Sequence, residues 1–370
     1  MTSAETQELP SEDAYALVSA EAKPFPAPDL PYQPPMPRDR SIPIGLIGAG
    51  GISFAHLDAY RAHGLNVVAI CDRHLDRAQA RRDAYYPKAR ATDRIEDVLG
   101  NPDIRVLDLT VHAKDRVVLM RAALEAGQHV LSQKPFVRDL DVGRALVDLA
   151  AAKGLQLAVN QNGRWAPHLS YIREAVSAGL IGAVTGVHVS IQWDHSWIAG
   201  TPFAVMEHVI LDDFAIHWFD FLVSIIGDRA RTVYATAARA EGQHEAISSP
   251  LLSQAMVSFP SGQASLVFDA NATYGAQDTT TVVGTRGTLR STGPDLGRQS
   301  VCLYKAEGVA QPALTGKWFN DGFAGTMGAL LCAIETGEEP INSARGNLAA
   351  LGLSQAAIQS TRTGVPVSFG

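Results

Sequence analysis

The chain has 370 residues, 46% of them hydrophobic and 19% charged, with a formal net charge of −7. That length fits two domains better than one, and the composition is that of a globular protein with a large core. The acidic balance disfavours nucleic acid or an anionic membrane as partner, no apolar run reaches the length of a membrane span, and three cysteines (Cys71, Cys302, Cys332) without a CxxC pair fit a reducing, cytoplasmic setting.

No basic segment followed by an apolar one opens the chain, so no export signal is expected. Residues up to Ala22 are polar and acidic and read as a free tail. Lys23 to Pro43 then carries eight prolines with Phe25, Leu30, Tyr32 and Met36 between them. Proline at that density excludes helix and central strand and favours an extended chain. The interleaved apolar residues predict an arm laid on a surface, either a neighbouring subunit or the nucleotide cleft.

From Ile44 the pattern becomes strand, glycine turn, helix, strand. Ile44 to Ile47 is a short apolar run, followed by Gly48-Ala49-Gly50-Gly51-Ile52-Ser53, a helical stretch, and a second run from Asn66 to Cys71 that ends on Asp72. This is the arrangement of a dinucleotide-binding βαβ unit. Gly48 permits the tight turn, and Gly50 lets backbone approach a pyrophosphate, with Gly51 and Ile52 leading into the helix. Ser53 is the small residue that packs helix on strand. Asp72 stands 24 residues after Gly48, where a carboxylate can accept the ribose hydroxyls and repel a 2′-phosphate, which favours NAD. Arg73 beside it keeps NADP open, because a guanidinium can accommodate that phosphate.

Further strands are expected at Ile104 to Thr110, His129 to Ser132 and Gln156 to Asn160. Helices are expected near His74 to Tyr85, Asp115 to Ala126 and Asp139 to Lys153. Together they predict a doubly wound parallel sheet with its ligand at the carboxyl ends of the strands. Thr110, Gln133 and Lys134 fall at those ends. Pro135 fixes the turn after Lys134 and can hold a cis bond, which would aim the lysine.

Past Asn162 the rhythm changes. A helix at Pro167 to Ala178, a strand at Val184 to Trp193 and a helix near Ile210 to Ile226 precede six alternating runs between Thr232 and Tyr304. Turn signals at Ser261-Gly262 and Thr285-Arg286-Gly287 make this a mostly antiparallel sheet with one open face, closed by helices at Gly322 to Glu335 and Ala344 to Arg362. The open face and the arm predict a homodimer or homotetramer. The resulting division is an arm over 1–41, a dinucleotide domain over 42–160 and a substrate and oligomerisation domain over 161–370.

Within Ile210 to Ile225, an apolar row (Ile210, Phe214, Trp218, Phe221, Ile225) adjoins a polar one (Asp213, His217, Asp220). Ionisable groups at the margin of an apolar face are costly to bury unless paired or used. The polar row admits three readings: a hydrogen-bonded core histidine, a metal site, and an acid–base centre. A bound nucleotide would already supply the hard chemistry, so no metal is expected. Trp193, His195 and Trp197 end the strand before it. Indoles there are either sugar platforms or packing.

These residues carry a resemblance to the Gfo/Idh/MocA family of oxidoreductases. The matching text is IGLIGAGGIS, then CD, then ALEAGQHVLSQKP, VNQNGRW, LDDFAIHWFDFLVSIIG and FAGTMGALLCAIETGEEP, from Ile42 onward. The resemblance implies a Rossmann domain joined to an α/β domain with a large open sheet, a pyridine nucleotide and a carbohydrate substrate. It implies Lys134, Asp213 and His217 as the catalytic set; Asn162, Arg164, Trp193, His195, Trp197 and Asp220 are expected to line the cleft. His217 would move the hydroxyl proton, Lys134 would bind the same oxygen, and Asp213 would orient His217 or bind a neighbouring hydroxyl. Gln133 stands where the family usually has Glu, and His208 to Asp212 replaces glycines. The arm resembles the proline-rich extension of glucose–fructose oxidoreductase. Two other activities stay open: an NAD-dependent glycosidase that oxidises a sugar carbon transiently, and an inactive nucleotide-binding sensor. The intact catalytic set argues against the second.

Overall fold

The structure, a computed structural model, describes residues 22–369. The free tail expected up to Ala22 falls, save for its last residue, outside that range.

The first sheet has six parallel strands: β1 (Ile44–Ile47), β2 (Val67–Cys71), β3 (Arg90–Thr92), β4 (Val106–Leu109), β5 (His129–Ser132) and β6 (Leu157–Val159), in the order β3-β2-β1-β4-β5-β6. Every residue of β1, β4, β5 and β6 is buried, as a sheet covered on both faces requires. Between them run α1 (Ser53–Ala62), α2 (Leu75–Tyr85), α3 (Ala113–Glu125) and α4 (Leu140–Ala152). Asp139 caps α4 by accepting from the Asp141 and Val142 amides. The edge strand β3 is one more than the sequence reading found. Three residues with a single buried side chain carry too little alternation to register.

Helix α5 (Pro167–Ser177) leads into the second sheet. Its strands are β7 (Val184–Gln192), β8 (Thr232–Ala238), β9 (Leu252–Phe259), β10 (Gly262–Asp269), β11 (Gln277–Gly284), β12 (Gly287–Asp295), β13 (Arg298–Lys305), β14 (Gly308–Ala310) and β15 (Val367–Ser368), in the order β14-β13-β12-β11-β7-β10-β9-β8-β15. All neighbours are antiparallel except β7 with β10. The expected hairpins form, with Phe259 paired to Gly262 and Gly284 to Gly287. One face is core and the other faces outward, where Met256 and Val267 are exposed.

The expected single helix after β7 is instead two segments, a π-helical turn at Ile210–Phe214 and then α6 (Ile216–Ile226). Such a turn inserts one residue into the helical ladder, which changes the register of the side chains on either side.

The two sheets share helices. Phe323, Ala324, Met327, Leu330 and Leu331 of α7 (Trp318–Thr336) pack with Leu46 and Ile70 of the parallel sheet and Leu57 of α1. Ala344 and Leu351 of α8 (Ala344–Thr363) join its other face, together with Ile216 of α6. The carboxyl edge of the first sheet is thereby clamped against α6.

The arm is ordered but does not cross the nucleotide cleft, and its described residues find their partners within their own chain. Lys23 and Phe25 pair with Val309, Tyr171 Oη donates to Pro28 O, and Ser170 Oγ donates to Tyr32 O. The arm then crosses α7, where a Cβ at Gly328 would overlap the Pro35 carbonyl, and the Arg38 and Asp39 amides donate to Glu335. Alternating proline and apolar residues suit this path, because proline needs no donor partner while Phe25, Leu30 and Tyr32 cover apolar core.

One buried group does not fit the apolar logic of the second sheet. Asp278 on β11 is 1% exposed and neither carboxylate oxygen has a partner among the described residues. Burial, and secondarily Asp295, pushes its carboxyl up from 3.8 to about 7. A raised native pKa gives stability that is full below the unfolded value and is lost as pH climbs through the native one. Asp278→Asn should therefore unfold at higher urea than the parent above that window, by up to about 4 kcal/mol, with a flatter pH profile inside it. Identical pH profiles would mean that the carboxylate is solvated.

Candidate active site

β1 ends in the glycine turn. Gly48 has φ 106, and a Cβ there would meet Val111 Cγ1 at 2.8 Å. The Gly48 amide donates to Cys71 O, and the Thr110 hydroxyl donates to the Ile47 and Gly48 carbonyls. Thr110 thus holds the turn from behind. By contrast, Cβ positions at Gly50 and Gly51 have nothing within 4 Å, so backbone there is open to close approach. Helix α1 begins just beyond without a side-chain cap, which leaves its first amides for an anion. Ser53 Oγ donates to Gly50 O at 2.7 Å, and that bond is why a small hydroxyl serves at the third position.

Asp72 follows β2, where its two oxygens accept the Ala49 amide at 2.8 Å and the His74 amide at 2.9 Å. Each oxygen keeps a lone pair for a ribose hydroxyl. Arg73 is exposed. A different arginine reaches the turn: Arg81 of α2 donates to Ser53 Oγ at 3.0 Å and to Gly50 O at 3.1 Å. No periodicity or motif marked Arg81, since only the packing of α2 beside α1 brings it there. An open turn, free helix amides, a carboxylate at the end of β2 and a nearby guanidinium together fit a dinucleotide.

Lys134 stands one loop further along the same edge. The Lys134–Pro135 peptide is cis. Buried Arg116 of α3 donates to the Lys134 carbonyl at 3.3 Å and to the Pro135 carbonyl. Burial lowers this guanidinium to about 10, and carbonyls are its hydrogen-bond partners. Gln133 Oε1 accepts the Lys134 amide at 2.8 Å and Asn160 Nδ2 at 3.1 Å, while its amide nitrogen lies 3.3 Å from His56 Nε2. His56 is held in turn by Asp108 and Tyr60. Gln133 therefore braces the loop from within, as does Arg116, and sequence reasoning had no means of seeing Arg116 or His56 in that place.

Lys134 Nζ reaches Asp213 twice, at 2.8 Å to Oδ2 and 2.9 Å to the backbone carbonyl. Asp213 lies on the π-helical turn, and its carboxylate turns to Lys134 rather than to His217. His217 is half-buried, with its Nδ1 sealed from solvent. Its Nδ1 lies against Gly163 and has no partner among the described residues, and Trp318 meets the ring edge-on at 5.4 Å. Burial, then the Lys134 charge, pushes its pKa well below the usual imidazole range. The ring is neutral at physiological pH.

The remainder of the polar row goes elsewhere. Asp220 accepts both Arg164 Nε, at 2.6 Å, and Arg164 Nη2, at 2.9 Å, in a nearly buried pair. These two expected cleft residues spend their charges on each other. Asn162 Oδ1 accepts the Trp318 indole at 2.8 Å. At the end of β7, Trp193 stacks on Phe214 at 4.2 Å and gives its indole N–H to His195, as does Trp197. His195 lies within electrostatic reach of both Lys134 and Asp213.

Two family models match the chain. An oxidoreductase family with an NAD-binding Rossmann fold, Gfo/Idh/MocA, covers residues 42–161, and the Gfo/Idh/MocA C-terminal domain covers 169–290. A D-apiose dehydrogenase of Paraburkholderia graminis is 28% identical over 343 residues, 88% of this chain and 88% of that protein. An inositol 2-dehydrogenase of Rhizobium meliloti is 26% identical over 332 residues, 86% of this chain and 97% of the relative. Among solved structures, an oxidoreductase from Agrobacterium radiobacter in complex with NAD+, L-tartaric acid and magnesium has a TM-score of 0.79 at 20% identity, covering 89% of this chain and 99% of that one. That likeness speaks for the fold.

The nucleotide side is testable on its own. Asp72→Ala should weaken NAD binding by about 1–3 kcal/mol in calorimetric titration, the worth of a charge-assisted hydrogen bond, and improve relative NADP binding. Tighter NADP than NAD binding by the parent protein would assign the ribose to Arg73 or Arg81 instead.

Proposed function

This chain belongs to the Gfo/Idh/MocA oxidoreductase family, and from that premise we propose that it oxidises a secondary hydroxyl of a sugar, polyol or glycoside, or reduces the corresponding ketone. The observation that carries the reading is the Lys134–Asp213 pair set beside a neutral, half-buried His217 at the carboxyl edge of the nucleotide-binding sheet. The two relatives named above, a D-apiose and an inositol dehydrogenase, support a polyhydroxylated substrate.

When bound, NAD supplies the hydride acceptor. Lys134 supplies a donor to the substrate oxygen. An ammonium has three N–H groups, and Asp213 takes two of them, which leaves one for the cleft. Asp213 orients that ammonium and offsets its charge, so we assign it a positioning role on Lys134. His217 Nε2 accepts the hydroxyl proton on oxidation and returns it on reduction, since Nδ1 is turned toward Gly163. Asn162 holds Trp318 against His217. The Arg164–Asp220 pair ties the loop before α5 to α6, and we read it as a support of the cleft wall rather than a substrate contact.

We further assign residues 42–160 to the nucleotide and 161–370 to substrate and assembly. The outward face of the second sheet, with exposed Met256 and Val267, supports a homodimer or homotetramer. The arm, lying along α5 and α7, favours free exchange of the nucleotide and hence net dehydrogenation over a glycosidase that retains its cofactor.

Lys134→Ala and His217→Ala should each lower turnover by about 10²–10⁴ while leaving the fold and NAD affinity intact. Normal turnover in His217→Ala would remove it from the mechanism. Because His217 is already neutral, kcat/KM for oxidation should show no inflection in the ordinary imidazole range. A panel of sugars, polyols and aryl glycosides, followed for NADH and released aglycone together, decides between activities. Stoichiometric NADH is expected, and many turnovers of aglycone without NADH would establish the glycosidase.

A further inference from the structure

Trp193, His195 and Trp197 form a unit whose chemistry the fold makes explicit. His195 follows β7, held by its own amide to Ala270 O at 2.9 Å. Its ring is boxed by Trp193 at 5.3 Å, Trp197 at 5.0 Å and Phe214 at 5.4 Å, all edge-on. Both indoles aim their N–H at the same atom, His195 Nδ1, at 2.8 Å from Trp193 and 3.2 Å from Trp197. An indole nitrogen only donates. A proton on Nδ1 would face two N–H groups with nothing to receive it, so Nδ1 must carry a lone pair and the imidazole proton must sit on Nε2.

Nε2–H has no partner among the described residues and is not sealed from solvent. The groups that act on this ring through space are Asp213, Lys134 and Asp194. Phe214, against which the ring packs, is the next residue after Asp213, so the ring stands beside the catalytic pair. Burial independently keeps the ring neutral, lowering its pKa to about 4.

Resting on the dehydrogenase reading above, we propose that His195 is a fixed, neutral Nε2–H donor that selects a substrate oxygen beside the reacting carbon, and that Trp193 and Trp197 are positioning residues for its tautomer. The oxygen must offer a lone pair, as a hydroxyl, ring ether, carbonyl or carboxylate does. An ammonium in the same place would set donor against donor. The protein therefore takes polyols and neutral or acidic sugars and rejects the amino sugar with nitrogen at that position. One face of the Trp193 indole is covered by Phe214 and its N–H is spent on His195.

Nitrogen-15 spectra of histidine-labelled protein, with His195→Gln to identify the signal, read the tautomer without substrate or nucleotide. An unprotonated Nδ1 and a protonated Nε2 that do not titrate in the ordinary imidazole range are expected. A Trp193→Phe/Trp197→Phe variant should restore tautomer mixing while burial still holds the ring neutral. With the best substrate of the panel, His195→Phe should raise KM about tenfold with kcat nearly kept, the effect of losing one neutral hydrogen bond, while His195→Gln, which retains a donor, should recover most of it. A proton on Nδ1, or an unchanged KM in His195→Phe, overturns the proposal. No turnover with any sugar or polyol, alongside the expected spectra, would sink the dehydrogenase reading and leave the fixed donor standing.

Discussion

The contact between Lys134 and Asp213 joins the two halves of this molecule where they must work together. Lys134 hangs from the carboxyl edge of the parallel sheet and Asp213 from the turn before α6, 79 residues later. Both side chains are only partly exposed, at 17% and 23%, so their attraction is less screened than a surface pair would be. The pair holds because each end is fixed by other means. Arg116 and Gln133 grip the backbone of the lysine loop, and the π-helical turn swings the aspartate out of the line of its helix. Had the helix run regularly through Ile210 to Ile226, Asp213 would lie over His217, one turn away.

Desolvation sets the protonation of the cleft. His217 and His195 are both neutral, for a shared reason of burial and for different local ones. The charge of Lys134 opposes a second cation at His217, whereas two indole N–H groups forbid a second proton at His195. The result is a site whose lysine already has its counter-ion. Hydrogen-bond polarity along the wall is then defined residue by residue. In the roles we propose, Lys134 and His195 donate and His217 accepts. A substrate carrying adjacent hydroxyls can satisfy all three, because a hydroxyl is both donor and acceptor.

Support for this arrangement comes from parts of the chain that are distant in sequence. Helix α7 returns to cover the parallel sheet beside α1, and Trp318 at its start presses on His217 and is held by Asn162. The arm crosses the outer side of α7 at Gly328, where only a glycine permits its backbone to lie so close. Thus the tail of the chain and its proline-rich beginning stabilise the same helix, and that helix backs the proposed proton acceptor.

Much of this was written in local sequence. The glycine turn, its flanking apolar runs and Asp72 are constraints acting within a few residues, so the βαβ unit and its dinucleotide site follow from spacing alone. Alternation and turn chemistry likewise placed most strands of the second sheet, and missed β3, β14 and β15 because two or three residues cannot display a period. Lys134, Asp213 and His217 were legible as residues but not as a geometry. The sequence reading set Asp213 on His217 or on a substrate hydroxyl and Asp220 in the cleft, yet the first turns to Lys134, and the second neutralises Arg164, 56 residues earlier. Arg81, Arg116, His56 and Trp318 carried no signal at all, since each acts through a partner supplied by another element. Spacing governs what neighbours along the chain can do; which buried charge meets which counter-charge is decided only when packing removes the water that would otherwise have served them all.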